Sequence, residues 1–139
     1  MVFAAGMYLL DRFLPVGEFD FFGRIALGHF LSGLGLLAIL IALLQFKRAG
    51  APTDPMDLKR TRTLVVGGIY KYSRNPMYLG MLLLLLACGL YLGNAFNTLL
   101  AALFVSYMNR FQIKAEEAEL FRIFGKEYTR YLRDSRRWF

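Results

Sequence analysis

Residues 25–46 read IALGHFLSGLGLLAILIALLQF, an apolar run without Asp, Glu, Lys or Arg. As a helix, this run extends about 33 Å at ~1.5 Å per residue, enough to cross a hydrocarbon core of roughly 30 Å. Gly28, Ser32, Gly33 and Gly35 are small residues of the kind that lets membrane helices approach closely. The stretch therefore predicts a membrane-spanning helix that packs tightly against a neighbour.

The composition of the whole chain agrees with a membrane protein. Of 139 residues, 57% are hydrophobic and 19% are charged, and the mean hydropathy is +0.42. A chain this short cannot hide so much apolar surface in a water-soluble core. The single cysteine, Cys88, lies in an apolar run and has no partner for an internal disulfide. These features exclude a soluble globule, a disordered chain and a disulfide scaffold, and the length predicts one domain over residues 1–139.

Three further apolar segments predict further helices. Residues 1–14 would reach only about 21 Å, so we expect a short helix that is tilted or partly interfacial. Pro76 suits the start of a third span over 77–92, and Asn94 can cap a fourth over 95–113. The expected fold is all-α, an integral membrane bundle of about four transmembrane helices.

The C-terminal residues 114–139 differ in pattern. Apolar and aromatic residues recur there at helical spacing between charged residues, which predicts an amphipathic segment at the membrane face that Gly125 bends or breaks. All 17 lysines and arginines except Arg12 and Arg24 lie in residues 47–74 or from Arg110 onward. The positive-inside rule then places both regions and the N-terminus in the cytoplasm, in a prokaryote at the inner membrane.

The same charge pattern narrows the partners. The net charge of +7 is gathered at the ends of apolar runs, which favours contact with lipid headgroups rather than with nucleic acid. The second and third spans carry no ionisable group except His29, so a proton or ion relay is not expected. One histidine and one cysteine cannot form a closed zinc site, and we expect no metal. The expected partners are the bilayer and a small or lipophilic molecule.

Two polar clusters on the cytoplasmic side carry the chemistry that remains. The first, GIYKYSRNPMYLG at residues 68–80, enters the third span. Pro76 biases Asn75 away from the helical conformation, which leaves backbone groups free to meet a ligand. The alternative is an anchor belt of tyrosine and arginine at the membrane surface.

The second cluster begins with Glu116 and Glu117 and ends with Arg136, Arg137 and Trp138. Carboxylates and tyrosine faces attract a cation, whereas Arg74 and the C-terminal arginines can hold an anion. Both signs together suit a zwitterionic cofactor, or a cationic cofactor beside an anionic substrate. The alternative is a solvated acidic face that pairs with Lys114 and Arg122.

Four motifs in this order resemble the signature of the isoprenylcysteine carboxyl methyltransferase and phospholipid methyltransferase superfamily: GIY at 68–70, RNPMYLG at 74–80, EEAEL at 116–120, and FGKEY at 124–128 followed by Tyr131. The resemblance covers about residues 47–138, and the cofactor-binding part is expected at 47–139. It implies an integral membrane enzyme that moves a methyl group from S-adenosylmethionine to a lipophilic or small acceptor reached from the bilayer. Such acceptors include an isoprenylcysteine carboxylate, a lipid amine and a thiol.

The resemblance also implies site residues. Those expected to line the cofactor pocket are Tyr70, Arg74, Asn75, Pro76, Tyr78, Glu116 and Glu117. Arg74 is expected near the reacting centre and Glu117 beside it as the second catalytic residue, since a carboxylate can assist an amine acceptor. Arg136 or Arg137 is expected near the substrate. Many members carry histidine where this chain has Asn75, while bacterial and phospholipid-type members also carry asparagine, so this position does not favour a prenylated cysteine as substrate.

Two other functions remain open from the sequence. One is an NADPH-using membrane reductase related to sterol reductases, whose C-terminal cofactor region is similar. The other is a non-catalytic membrane module that binds a lipid or a partner helix, in which Arg74, Glu116 and Glu117 serve structure alone.

Overall fold

The computed structural model describes residues 2–14, 17–50 and 63–139. Within these ranges the chain is helical and has no β-strand, which confirms the all-α class. The helices are α1 Val2–Phe13, α2 Arg24–Arg48, α3 Pro76–Leu92, α4 Asn97–Tyr107, α5 Lys114–Phe124 and α6 Lys126–Asp134. A short 3₁₀ helix, Gly68–Lys71, precedes α3, and a π-helical segment, Met108–Ile113, joins α4 to α5.

Helix α2 is the one described helix that is both long and apolar enough to cross a membrane. Its 25 residues extend about 37 Å. Helix α3 is apolar as well, but its 17 residues extend only about 25 Å. The structure thus supports one span by length and composition, and the arrangement of about four spans stays a prediction.

Two glycines set the contact between α2 and α3. A Cβ atom built on Gly80 would lie 2.6 Å from the carbonyl oxygen of Gly35, and one built on Gly35 would lie 2.8 Å from the carbonyl oxygen of Gly80. Backbone atoms cannot yield to such a contact as a flexible side chain can, so both positions need glycine. Further along the same pair, Gly28 faces the ring of Tyr91. The close packing predicted from the small residues of α2 is confirmed.

The ends of α3 lie where the sequence places them. Helix α3 begins at Pro76, and Gly93 follows its last residue with φ +72°, a conformation that side chains other than glycine rarely adopt. Asn94 then accepts a hydrogen bond from the backbone N–H of Phe96 at 3.0 Å and donates one to the carbonyl oxygen of Leu14 at 3.1 Å. Asn94 therefore fixes the turn into α4 and ties it to the end of α1.

The C-terminal part folds back toward the start of α3. Gly125 lies between α5 and α6 with φ +50°, which confirms the predicted break. After α6, residues 135–138, here called the C-terminal strap, run beside residues 72–74. Arg74 N–H donates to the carbonyl oxygen of Arg136 at 2.8 Å, and Arg136 N–H donates to that of Tyr72 at 3.2 Å. This backbone pairing brings the two sequence-predicted clusters together.

Candidate active site

Glu116 is the centre of a hydrogen-bonded group where α3 meets α5. The hydroxyl of Tyr78, in the first turn of α3, donates to Glu116 Oε1 at 2.5 Å, and Gln112 Nε2 donates to the same oxygen at 2.6 Å. Both donors are neutral. Within the described ranges no cationic side chain forms an ion pair with this carboxylate. Burial raises the pKa of Glu116, and the two hydrogen bonds oppose that rise.

Glu117, the next residue, has the opposite environment. Arg137 binds it with two hydrogen bonds, Nε to Oε1 at 3.0 Å and Nη2 to Oε2 at 2.6 Å, in the forked geometry that arginine favours. Arg74 Nη2 lies 3.5 Å from Oε1 of the same carboxylate. The hydrogen bonds from Arg137 to this carboxylate raise the pKa of Arg137. One carboxylate thus faces two guanidinium groups, while its neighbour faces two neutral donors.

Arg74 links three parts of the site. Its Nη1 donates to the carbonyl oxygens of Ser135 and Leu132, the latter at 3.4 Å, at the C-terminal end of α6 where the helix dipole favours a cation. Its Nε is buried and has no hydrogen-bond partner among the residues described. The adjacent Asn75 donates from Nδ2 to the carbonyl oxygen of Arg137 at 2.9 Å. The turn before α3 therefore holds both α6 and the strap.

The strap closes the site on its far side. Trp138 Nε1 donates to Oδ1 of Asn109 at 3.1 Å, in the π-helical segment. The Trp138 ring also packs against the buried group that contains Tyr78, Met108 and Ile113. The strap thus runs from the start of α3 to the π-helical segment and encloses Glu117 through Arg137.

Tyrosine side chains form the wall beside α2. Tyr70, Tyr128 and Tyr131 are buried in one cluster, and the hydroxyl of Tyr131 donates to the carbonyl oxygen of Tyr70 at 2.6 Å. The Tyr70 hydroxyl is itself buried and lacks a partner in the described part of the chain. Burial raises the pKa of Tyr128 to about 12, and the pKa of Tyr70 also rises through burial. These phenols are neutral near pH 7 and act as donors or as ring surfaces.

Gly68 explains how Tyr70 reaches this wall. Its φ is +59°, and a Cβ atom there would lie 1.7 Å from Nε2 of Gln45 in α2. The first glycine of the GIY motif is therefore favoured by its conformation, and a Cβ atom there would also force the Gln45 side chain to move. Gln45 Oε1 is a further buried acceptor that has no partner among the described residues.

The comparison with known families decides the relationship of the chain. A family model described as phospholipid methyltransferase matches residues 23–127, which include α2 through α5. The chain belongs to the phospholipid methyltransferase family. Membership places Tyr78, Arg74 and both glutamates inside the segment that this methyltransferase family shares.

Two other proteins are similar to this chain in sequence, and one of them is named as a methyltransferase. A protein-S-isoprenylcysteine O-methyltransferase of Schizosaccharomyces pombe is 28% identical over 124 residues, which are 89% of this chain and 50% of that protein. The chain therefore spans half the length of that relative. An uncharacterized protein of Haemophilus influenzae is 48% identical over 62 residues, 45% of this chain and 98% of that protein. No solved structure matches the chain.

The structure brings most of the sequence-predicted residues into one region. Tyr78 contacts Glu116, and Arg74 and Arg137 contact Glu117, while Asn75 holds the strap. Pro76 is buried at the start of α3 and Tyr70 is in the tyrosine wall. Their roles in binding and catalysis stay predictions.

Two expectations are refined by the contacts. Arg122 pairs with Glu119 at 2.6 Å rather than with Glu116 or Glu117. The side chain of Arg136 is exposed, and its hydrogen bonds to residues 72–74 come from its backbone. Of the two arginines named as substrate-binding, Arg137 is the one inside the site.

The structure gives contacts to several residues to which the sequence analysis assigned no role. Gln112 precedes Glu116 by four residues and so shares its helix face, a signal that was available. Tyr128 lies in the FGKEY motif without a role assigned to it. Asn109 and Trp138 meet across the strap, and no pattern in the sequence predicts that contact.

Proposed function

We propose that this protein transfers the methyl group of S-adenosylmethionine to a small or lipophilic acceptor that reaches the site from the bilayer. The observation that carries the proposal is the pair of adjacent carboxylates, Glu116 without a cationic partner in the described ranges and Glu117 between two arginines. Membership in a methyltransferase family supports the reaction type. The contacts within this chain support the choice of S-adenosylmethionine as cofactor.

The unsatisfied groups of the site match the charges of that cofactor. S-adenosylmethionine is a zwitterion with a sulfonium, an ammonium and a carboxylate group. Glu116 offers a half-buried carboxylate to a cation, and the neighbouring phenol rings offer their negative faces. Arg74 Nε and the Tyr70 hydroxyl are buried donors without partners among the described residues, and they suit a carboxylate. The residues therefore fit the cofactor.

The bound cofactor supplies an electrophilic methyl group on a positively charged sulfur. The residues of the chain bind and orient it, since methyl transfer depends on a close, in-line approach of the acceptor. Tyr78 and Gln112 hold the Glu116 carboxylate in one orientation. The buried tyrosine wall and Trp138 keep water from the site, which strengthens each charge interaction there.

We assign Glu117 a role in positioning other side chains rather than in proton transfer. Its charge is balanced by Arg137 and Arg74, so it fixes the guanidinium group of Arg74 and the strap. Glu116 is the carboxylate suited to accept a proton when the acceptor is an amine, because burial raises its pKa and so makes it a stronger base.

The NADPH-using alternative has weaker support. Several phosphate groups need several free cations, whereas Arg137 and Nη2 of Arg74 already face Glu117, which leaves only Arg74 Nε for an anion. The non-catalytic alternative is separated by experiment, because a structural site transfers no methyl group.

The test is methyl transfer by the purified protein in liposomes made from membrane lipid extract, with methyl-labelled S-adenosylmethionine. We expect label in the lipid or small-molecule fraction with the wild type and with Glu127→Gln, an exposed control on α6. We expect at least a tenfold lower rate with Glu116→Gln. A wild-type protein that is folded but transfers no label to any lipid or small-molecule fraction would refute the proposal.

A further inference from the structure

A cavity of about 210 Å³ lies at the opposite end of the α2–α3 pair from Glu116. It is about half open, it lies between the N-terminal half of α2, the C-terminal end of α3 and the start of α4, and its walls are mainly five leucine side chains and Phe19. Gly89, in its wall, follows Tyr78 by eleven residues along α3, which is about 16 Å. The cavity is therefore separate from the candidate active site.

One polar side chain in this cavity has no partner. Asn97, the first residue of α4, is only 1% exposed, and both its amide nitrogen and its amide oxygen lack hydrogen bonds within the described ranges. Its neighbour Asn94 lines the same cavity but is satisfied by Leu14 and Phe96. A buried amide without partners is unfavourable, so the Asn97 side chain points to a missing group that both accepts and donates a hydrogen bond.

The cavity is also free of charge. None of its lining residues, all within the described ranges, is titratable. The nearby guanidinium of Arg24 is already bound to Asp20 at 3.2 Å and to the carbonyl oxygen of Leu90 at 3.0 Å. An anionic or cationic group would lie there without compensation, which is costly in apolar surroundings. The occupant is therefore neutral at its polar end.

The volume and walls favour an organic molecule over water. An apolar cavity of roughly 150 Å³ is large enough for benzene, and each buried water needs two to four polar partners, so one amide can satisfy a single water but not a filling of water. This cavity is larger, and it offers one unsatisfied amide among leucines. We propose that it binds an alcohol, whose hydroxyl donates to Asn97 Oδ1 and accepts from Nδ2 while its hydrocarbon lies against the leucines. This inference does not depend on the proposed methyl transfer.

The test is photolabelling of the full chain in lipid nanodiscs with a diazirine-bearing octanol, followed by peptide mapping. We expect label on α2 near Leu27 and Leu31 and on α3 near Leu86, displaced by octanol but not by octane. Asn97→Leu keeps the side-chain size and removes the amide, and we expect at least tenfold less label. Leu86→Trp fills the cavity and should abolish labelling, whereas Leu99→Trp, on the exposed face of α4, should leave it unchanged.

The outcomes separate the proposal from its alternatives. Equal labelling of the wild type and of Asn97→Leu, or equal displacement by octane, would overturn it, because the amide would then take no part in recognition. Native mass spectrometry of the purified protein distinguishes two sources of the alcohol. A retained hydroxyl-bearing lipid that Asn97→Leu loses indicates a membrane lipid, and a mass shift with added octanol alone indicates a small alcohol.

Discussion

Replacing each glutamate of the adjacent pair by glutamine should give opposite results. Glu117→Gln leaves the guanidinium groups of Arg74 and Arg137 without their carboxylate. This loss is costly because the three side chains are only 12–36% exposed. Breaking a fully buried pair from one side costs about 3–5 kcal/mol, and partial exposure lowers this to about 2–3 kcal/mol here. For a chain of this size the melting temperature should fall by about 10 °C.

Glu116→Gln should have the reverse effect. The glutamine oxygen can still accept from Tyr78, and the substitution removes a charge that burial disfavours, so the ligand-free melting temperature should stay the same or rise. Binding of S-adenosylmethionine should weaken by about 1.5–3 kcal/mol, or roughly tenfold to 150-fold, the scale of a hydrogen bond to a charged group.

The assay uses a reporter that the chain already contains. Trp138 is the single tryptophan, and it is bonded to Asn109 beside the site, so its fluorescence during heating follows the strap directly. Glu127→Gln, exposed on α6, is the matched control and should change neither quantity. A Glu117→Gln protein that melts within 2 °C of the wild type, or a Glu116→Gln protein that loses stability while keeping its affinity, would refute the assignment of roles.

Three further outcomes follow from the same contacts. Gly80→Ala should destabilise the protein by about 1–3 kcal/mol in thermal unfolding, since its Cβ would lie 2.6 Å from the Gly35 carbonyl oxygen. Gly33→Ala, with open space around it, should be neutral or slightly stabilising. Equal effects of the two substitutions would contradict the close packing of α2 on α3. Arg74→Lys should lower the methyl-transfer rate and the melting temperature together, because an ammonium group cannot reach Leu132, Ser135 and Glu117 at once, and an unchanged rate would remove Arg74 from the site. The pKa of Glu116 is raised in the folded state, so above pH 4.5 this group holds more protons in the folded protein than in the unfolded chain. The ligand-free melting temperature of the wild type relative to Glu116→Gln should therefore fall as the pH rises above 4.5. A relative melting temperature that increases with pH would contradict this prediction.

The helices were predictable because their signals are local. The apolar run of α2 and the proline that opens α3 are visible in the sequence, and the structure extends α2 only a few residues beyond the predicted 25–46. Gly93 and Gly125 end helices at the predicted places because their positive φ angles need glycine. The number of membrane spans was not settled in the same way, since α3 is short for a span on its own.

The sequence predicts which residues belong to the site but not which of them pair with one another. The motifs identify Glu116 and Glu117 together. Which of the two carboxylates is paired with an arginine is decided by Arg137 in the strap, 20 residues after Glu117. Arg136 and Arg137 are neighbours in an extended segment, where successive side chains point to opposite sides, so the sequence could not say which enters the site. The π-helical segment that carries Gln112 and Asn109 is a rare conformation inside helices, and no pattern in the sequence predicts it.

The most direct test of the account is calorimetric titration of the detergent-solubilised protein with S-adenosylmethionine and with its demethylated product, S-adenosylhomocysteine. We expect saturable binding of both by the wild type, weaker binding by Glu116→Gln, and wild-type binding by Glu127→Gln. Absence of heat with a protein that Trp138 fluorescence shows to be folded, or binding that is indifferent to Glu116, would contradict it.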